Sequence, residues 1–160
     1  MKKKLVALVL SVAMMLSFGA CFDDSVSQGN GNVTGSTNNN ATLGDYEVVI
    51  DSCRFAKDYE GDAIIIVKYK FTNNGDEPAS FAYSIDEGAF QDGIGLNECY
   101  FAADSANYSS DNQTKEIKKG ATLSVEVAYE LNNTVSDVEV EVSEWISFSS
   151  KKITKTFSIK

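Results

Sequence analysis

Thr122-Leu123-Ser124-Val125-Glu126-Val127-Ala128-Tyr129-Glu130-Leu131 places Leu, Val, Val, Tyr and Leu at every second position. Successive side chains of an extended chain point to opposite faces, so one face of this segment meets a core and the other meets water. Val138, Val140 and Val142, interleaved with Glu139 and Glu141, repeat the pattern. Upstream, Ala63-Ile64-Ile65-Ile66-Val67-Lys68-Tyr69-Lys70-Phe71 is apolar almost throughout. That predicts a central strand whose Ile65, Val67, Tyr69 and Phe71 turn inward. No long segment carries a helical period.

Working outward, Glu60-Gly61-Asp62, Asn73-Asn74-Gly75-Asp76, Lys119-Gly120 and Asn132-Asn133 are turn chemistry, residues that tolerate positive φ or bond back to their own backbone. Strands are expected over 46–55, 62–72, 80–86, 96–102, 121–131, 137–148 and 153–159. Short strands at this spacing predict an all-β fold, an antiparallel sandwich of immunoglobulin type occupying 45–160 as a single domain. The length suits one core, and there is no internal repeat.

The first twenty residues have another character. Lys2, Lys3 and Lys4 precede an apolar run from Leu5 to Leu16, the order of a secretory signal peptide, and the run is too short to span a bilayer. Phe18 is too large for an ordinary signal-peptidase site. Gly19-Ala20-Cys21 instead resembles the lipobox of bacterial lipoproteins, with Phe18 where Leu is usual. The resemblance implies cleavage ahead of Cys21 and diacylglyceryl transfer to its thiol. Residues 21–44, rich in Asn, Gly, Ser and Thr, have little to bury and are expected to form a tether reaching about 25 Å.

Charge narrows the partners. The chain has 14 Lys plus Arg against 23 Asp plus Glu, and losing the leader removes three of the lysines, leaving a net charge of about −12. So acidic a surface excludes nucleic acid and adsorption to anionic lipid by charge alone. There is no histidine and Arg54 is the single arginine, which removes the commonest general base, metal ligand and phosphate clamp. The chain is therefore expected to be no enzyme and to need no cofactor.

Six constellations remain. Cys53 and Cys99 form a disulfide or are two small core residues; the spacing leaves both open. Asp58-Tyr59-Glu60-Gly61-Asp62 and the Asp104, Asn107, Asp111, Asn112 loop carry oxygen ligands, but without calcium-loop spacing they read as solvated turns. Ser149-Ser150-Lys151-Lys152 has a serine-x-x-lysine spacing without the partner motifs of acyl transfer, and reads as a turn. Glu126, Glu130, Glu139, Glu141 and Glu144 make an acidic face if their strands are neighbours. Trp145, Phe90, Tyr100 and Phe101 are expected in the core.

The stretches 66–74, 89–94 (Ala89-Phe90-Gln91-Asp92-Gly93-Ile94), 117–122 and 137–142 resemble an uncharacterised, immunoglobulin-like domain of exported lipoproteins of Gram-positive bacteria, related to secreted antigens of mycobacteria. That resemblance implies a sandwich on the outer face of the cell membrane, with no assigned reaction. The expectation is a membrane-anchored, non-catalytic module for a protein or envelope partner. A solute- or metal-binding lipoprotein serving a transporter is the alternative.

Overall fold

The computed structural model describes residues 39–146 and 151–159. Cys21, the leader, most of the tether, Ser149 and Ser150 lie outside them. Two antiparallel four-stranded sheets pack face to face, so the chain is an all-β sandwich. Among the described residues no helix is long and apolar enough to cross a membrane.

The first sheet orders β1 (Asn40–Leu43), β2 (Tyr46–Lys57), β3 (Ala63–Asn73) and β6 (Thr122–Glu130) side by side. The second runs β5 (Ile94–Gly95), β4 (Ile85–Gln91), β7 (Val138–Glu144) and β8 (Lys152–Phe157). In an immunoglobulin constant domain the second and third strands lie in opposite sheets. Here the tight Glu60-Gly61-Asp62 turn pairs β2 with β3 as a hairpin, so the sandwich holds but the strand order differs.

The alternating faces meet between the sheets. Ile65, Val67, Tyr69 and Phe71 of β3 and Val125, Val127 and Tyr129 of β6 are buried there against Val138, Val140 and Val142 of β7. Phe81 closes one end, its ring centroid 5.2 Å from that of Tyr69 and 5.8 Å from that of Phe71.

The apolar run of β3 has a second cause. Ile64 and Ile66 face the opposite way and are also buried, with Cys99, Ala106 and Ala128, under the segment that crosses the outside of the first sheet. Arg54 clamps that crossing. Its guanidinium holds Glu126 through two contacts, 2.6 and 2.8 Å, and donates to the carbonyls of Ala106 and Asn107. The single arginine is committed to structure.

Several expectations need correction. Strand β1 begins at Asn40, inside the polar stretch assigned to the tether, because Leu43 is 1% exposed and Ala41 packs on the same core. Residues 81–84 form a helical turn, α1 (Phe81–Ser84), ahead of β4, since Phe81 and Ile85, four apart, are both buried while Tyr83 is exposed. Residues 96–102 make only isolated bridges, Glu98 with Tyr129 and Ala102 with Asp58, as the chain passes from the second sheet to the first. Trp145, Tyr100 and Phe101 are exposed, while Phe90 is half-buried. The five glutamates do not share a face, since Glu126 and Glu130 belong to β6 and Glu139, Glu141 and Glu144 to β7 of the other sheet.

Cys53 and Cys99 are both free thiols. Cys53, opposite Val67, packs on the core between the sheets, whereas Cys99 packs with Ile64 and Ile66 on the outside of the first sheet. The sheet itself stands between them, so the bridge does not form in this geometry. Burial raises the Cys53 pKa to about 11, against the pull of Lys155, and raises that of Cys99. Thiolate is the reactive form. Both thiols are therefore expected to resist alkylation at pH 8 in the native protein and to react together on unfolding, as a thiol titration with and without denaturant will show.

Candidate functional site

The outer face of the first sheet is roofed around Ile64, Ile66 and Ala128, and among the described residues that of the second is bare. Along the outside of the second sheet the register sets Phe90, Glu139 and Thr156 in one row, Gly88, Glu141 and Thr154 in the next, and Asp86, Ser143 and Lys152 in a third. Directly opposed side chains on one face lie about 5 Å apart, so these rows form a continuous surface. It is hollow because Gly88 contributes no side chain.

Phe90 forms the floor. A Cβ placed on Gly88 would lie 3.5 Å from its ring and one on Gly95 3.7 Å, so the ring lies against both glycines. A groove of about 390 Å³ opens beside it, walled by Asp92, Asp137, Glu139, Glu141 and Thr156. A smaller hollow of about 140 Å³ continues past Glu141 to Lys152. Lys152 already seats an ammonium on this face, 2.5 Å from Glu141 Oε1. Carboxylates ring an aromatic floor, a combination that attracts cations both by charge and by the ring quadrupole.

The rim is built from the next shell inward. Asp92 and Gly93, with φ of 53° and 78°, make the two-residue turn joining β4 to β5, a conformation that favours an Asp-Gly pair. The Asp92 carboxylate accepts from Ser136 Oγ at 2.9 Å and Asn133 Nδ2 at 3.3 Å, which fixes it at the groove's edge. Gln91, 1% exposed, holds the 132–136 loop that leads to Asp137. Its Nε2 donates to the carbonyls of Asn133 and Ser136, and its Oε1 accepts from the amides of Asn132 and Asn133.

Each buried hydrogen bond lost leaves an unpaired partner, at about 1 kcal/mol or more. Gln91→Ala is expected to lower stability by about 3 kcal/mol and to speed amide exchange across 132–136. A chemical denaturation curve and exchange at those amides will measure both. A loss confined to stability, with exchange unchanged, would remove Gln91 from the groove's support.

Of the residues singled out from sequence, Phe90, Glu139 and Glu141 meet here, although Phe90 was expected in the core. Asp92, Asp137 and Gln91 were missed as site residues. Only Gln91 left a signal, standing in the inward phase of β4 with Ile85 and Ala89. Asp58, Glu60 and Asp62 offer carboxylate oxygens within 4.8 Å of one another. Asp58 Oδ1 is occupied in accepting the amides of Glu60 and Asp62, the bonds of a hairpin turn. The 104–112 loop is structural too, with Asn112 donating to the Ser124 carbonyl and Ala106 buried under the clamp of Arg54.

Comparison with known proteins returns the fold. No curated protein matches the chain. A solved candidate lipoprotein of Staphylococcus aureus is similar at 17% identity and a TM-score of 0.59, over 80% of this chain and 91% of that one. A candidate lipoprotein of Bacillus subtilis is similar at 13% and 0.56, over 75% of this chain and 38% of that one. A conserved hypothetical protein of Bacillus anthracis is similar at 17% and 0.53, over 74% and 92%. At such identities the likeness is one of architecture. Residues 27–144, from the polar stretch to the end of β7, match a single family, and on that span the chain belongs to DUF5067, a domain of unknown function.

Proposed function

We propose that this chain is an exported lipoprotein, lipidated at Cys21 and held on the extracytoplasmic face of a cell membrane, whose sandwich is a non-catalytic binding module. The groove over Phe90 is where its partner seats. That partner is a protein or envelope component presenting ammonium or guanidinium groups. One observation carries the reading: the first sheet's outer face is roofed by its own chain around Ile64, Ile66 and Ala128, while among the described residues the second sheet's face is bare, hollow and ringed by Asp92, Asp137, Glu139 and Glu141.

The leader and the Gly19-Ala20-Cys21 motif support the anchor, and the solved relatives described as candidate lipoproteins agree with it. The kinship to immunoglobulin-like antigens of mycobacteria and the Gram-positive setting belong to the same proposal, supported by the two-sheet architecture alone. The absence of histidine and the commitment of Arg54 to a structural clamp support a module that binds without catalysis.

The test is titration of the full chain with a labelled oligolysine peptide at low salt. Phe90→Ala and the triple change Asp137→Asn, Glu139→Gln, Glu141→Gln are each expected to weaken binding at least tenfold, the second also flattening its salt dependence. Binding indifferent to these changes would move the site off this face, and a reaction catalysed by the purified chain would overturn the non-catalytic reading.

A further inference from the structure

The sandwich has two unlike ends. At the lower end lie the β2–β3 and β4–β5 hairpins and the β6–β7 connection, carrying Asp58, Glu60, Asp62, Asp92 and Asp137. At the upper end lie the β1–β2 turn, α1, the turn at Lys118-Lys119-Gly120, the close of β7 and the start of β8. The two sheets share this end, because Gly44 of the first packs so closely on the Glu144 carboxylate of the second that a Cβ would not fit.

Tyr83, Trp145 and Ile146 stand exposed at the upper end, by 77%, 60% and 78% of their surfaces. They belong together, since the Trp145 amide bonds the carbonyl of Ser84, next to Tyr83. Lys118, Lys119, Lys151 and Lys152 lie at the same end against Asp45, Asp76, Glu77, Asp86, Glu116 and Glu144, so this end is only weakly acidic. The strong negative charge of the chain is therefore felt mainly at the lower end.

We propose that the upper end is a membrane-facing surface, with Trp145, Tyr83 and Ile146 seated in the interface of the bilayer that carries the Cys21 lipid. The inference rests on the anchoring described above. Trp and Tyr favour the headgroup level, where an apolar ring and a polar edge are both accommodated. Charge decides which end approaches, because the strongly acidic lower end is repelled by anionic headgroups far more than the lysine-bearing end. Eighteen residues separate Cys21 from Asn40, and even fully extended they span about 60 Å or less. A connection of that length holds the domain near the bilayer at an effective concentration of about a millimolar, so a weak interfacial affinity suffices. Strand β1 rises only four residues before the upper end, about 13 Å, well within that reach. With this end down, the groove, whose acids cluster toward the lower end, stays open to a partner from outside.

Trp145 is the only tryptophan and reports on the question directly. The full chain, purified with its lipid, is reconstituted into phosphatidylcholine vesicles with and without a third of phosphatidylglycerol, using ordinary or brominated acyl chains. Brominated chains are expected to remove about half of the Trp145 emission and ordinary ones to shift it to the blue. The double change Tyr83→Ser, Ile146→Ser, which keeps the reporter, is expected to abolish most of the quenching. Lys118→Glu with Lys119→Glu is expected to do so only in vesicles containing phosphatidylglycerol. Lipid found on Cys21 by mass measurement, with emission identical in brominated and ordinary vesicles, overturns this inference alone. A chain recovered from cell membranes without lipid on Cys21 overturns the anchoring reading as well.

Discussion

Lys155→Ala is expected to lower the unfolding free energy by about 3 to 5 kcal/mol, since charge-assisted hydrogen bonds inside a protein are worth roughly 1.5 to 3 kcal/mol each. Lys155 stands in the inward phase of β8, between Ile153 and Phe157, and is 4% exposed. A lysine there is tolerated because β2 is faulted opposite it. The register of β2 on β3 shifts between Ile50 and Ser52, leaving Asp51 as an extra residue. The ammonium fills this fault, donating to the Ile50 carbonyl at 3.0 Å and the Asp51 carbonyl at 2.6 Å, and lies 4.9 Å from the centre of the Phe157 ring.

Burial lowers the Lys155 pKa, and Asp51 and Cys53 only partly restore it. Lys155→Met keeps the stem and loses the donor, so it separates hydrogen bonding from packing. It is expected to retain less than half of the stability lost in the alanine variant. Guanidinium midpoints at unchanged slope will measure both losses. A methionine variant within about 1 kcal/mol of wild type would show that the carbonyls find water instead.

Glu87→Gln is expected to raise stability, and to do so only at neutral and alkaline pH. Glu87 lies on the inward side of β4, alternating with Ile85 and Ala89, where burial foremost and the Glu98 carboxylate next push its pKa from 4.5 to about 8. Asp86 adds to the push, and the neighbouring Tyr69 and Tyr129 hydroxyls, themselves buried and 3.4 Å apart, are held protonated by their own burial.

The sign follows from which state holds the proton. Below pH 4.5 both folded and unfolded chains are protonated and the group costs nothing. Between 4.5 and 8 the unfolded chain has released the proton that the folded chain keeps, so stability falls as pH rises, and above 8 the full penalty stands. A tenfold difference in proton affinity between the two states corresponds to about 1.4 kcal/mol, and with the partial solvent contact of Glu87 the gain in the glutamine variant is about 3 kcal/mol at pH 8. At pH 4 the two proteins are expected to be alike. Denaturation at both pH values will decide, and an equal gain at both would trace the effect to packing.

Periodicity served well where one strand face meets the core. The inward sets of 122–131, 138–142 and β3 stand in the structure as read, whereas the other face of β6, expected in water, is covered at Ala128 and Glu126. It served poorly at 80–86, where Phe81 and Ile85 are buried at helical spacing, and at 96–102, where the chain changes sheets. Short segments carry too few residues for either period to be distinctive. The exposure of Trp145, Tyr100 and Phe101 was likewise illegible, because an aromatic residue reads as core until the neighbours that would cover it are known. The groove was legible only in part: Glu139 and Glu141 announced a solvated strand face, but nothing local said that Phe90 and Asp92 would lie beside them.

By itself the sequence determined the class of fold, the position of the long strands and the hairpin turn at 60–62. These are properties of neighbouring residues, set by the two-residue repeat of an extended backbone and by the conformational freedom of Gly, Asn and Asp. Only the tertiary structure decided that Glu126 and Glu139 lie on opposite sheets, that Cys53 and Cys99 have a sheet between them, and that, among the described residues, one outer face is roofed while the other is bare. It also decided that Lys155 answers a fault in β2 that lies 104 residues away along the chain. Alternation tells a strand which side is wet; which strand comes to lie beside it is settled by pairing and packing across the whole domain.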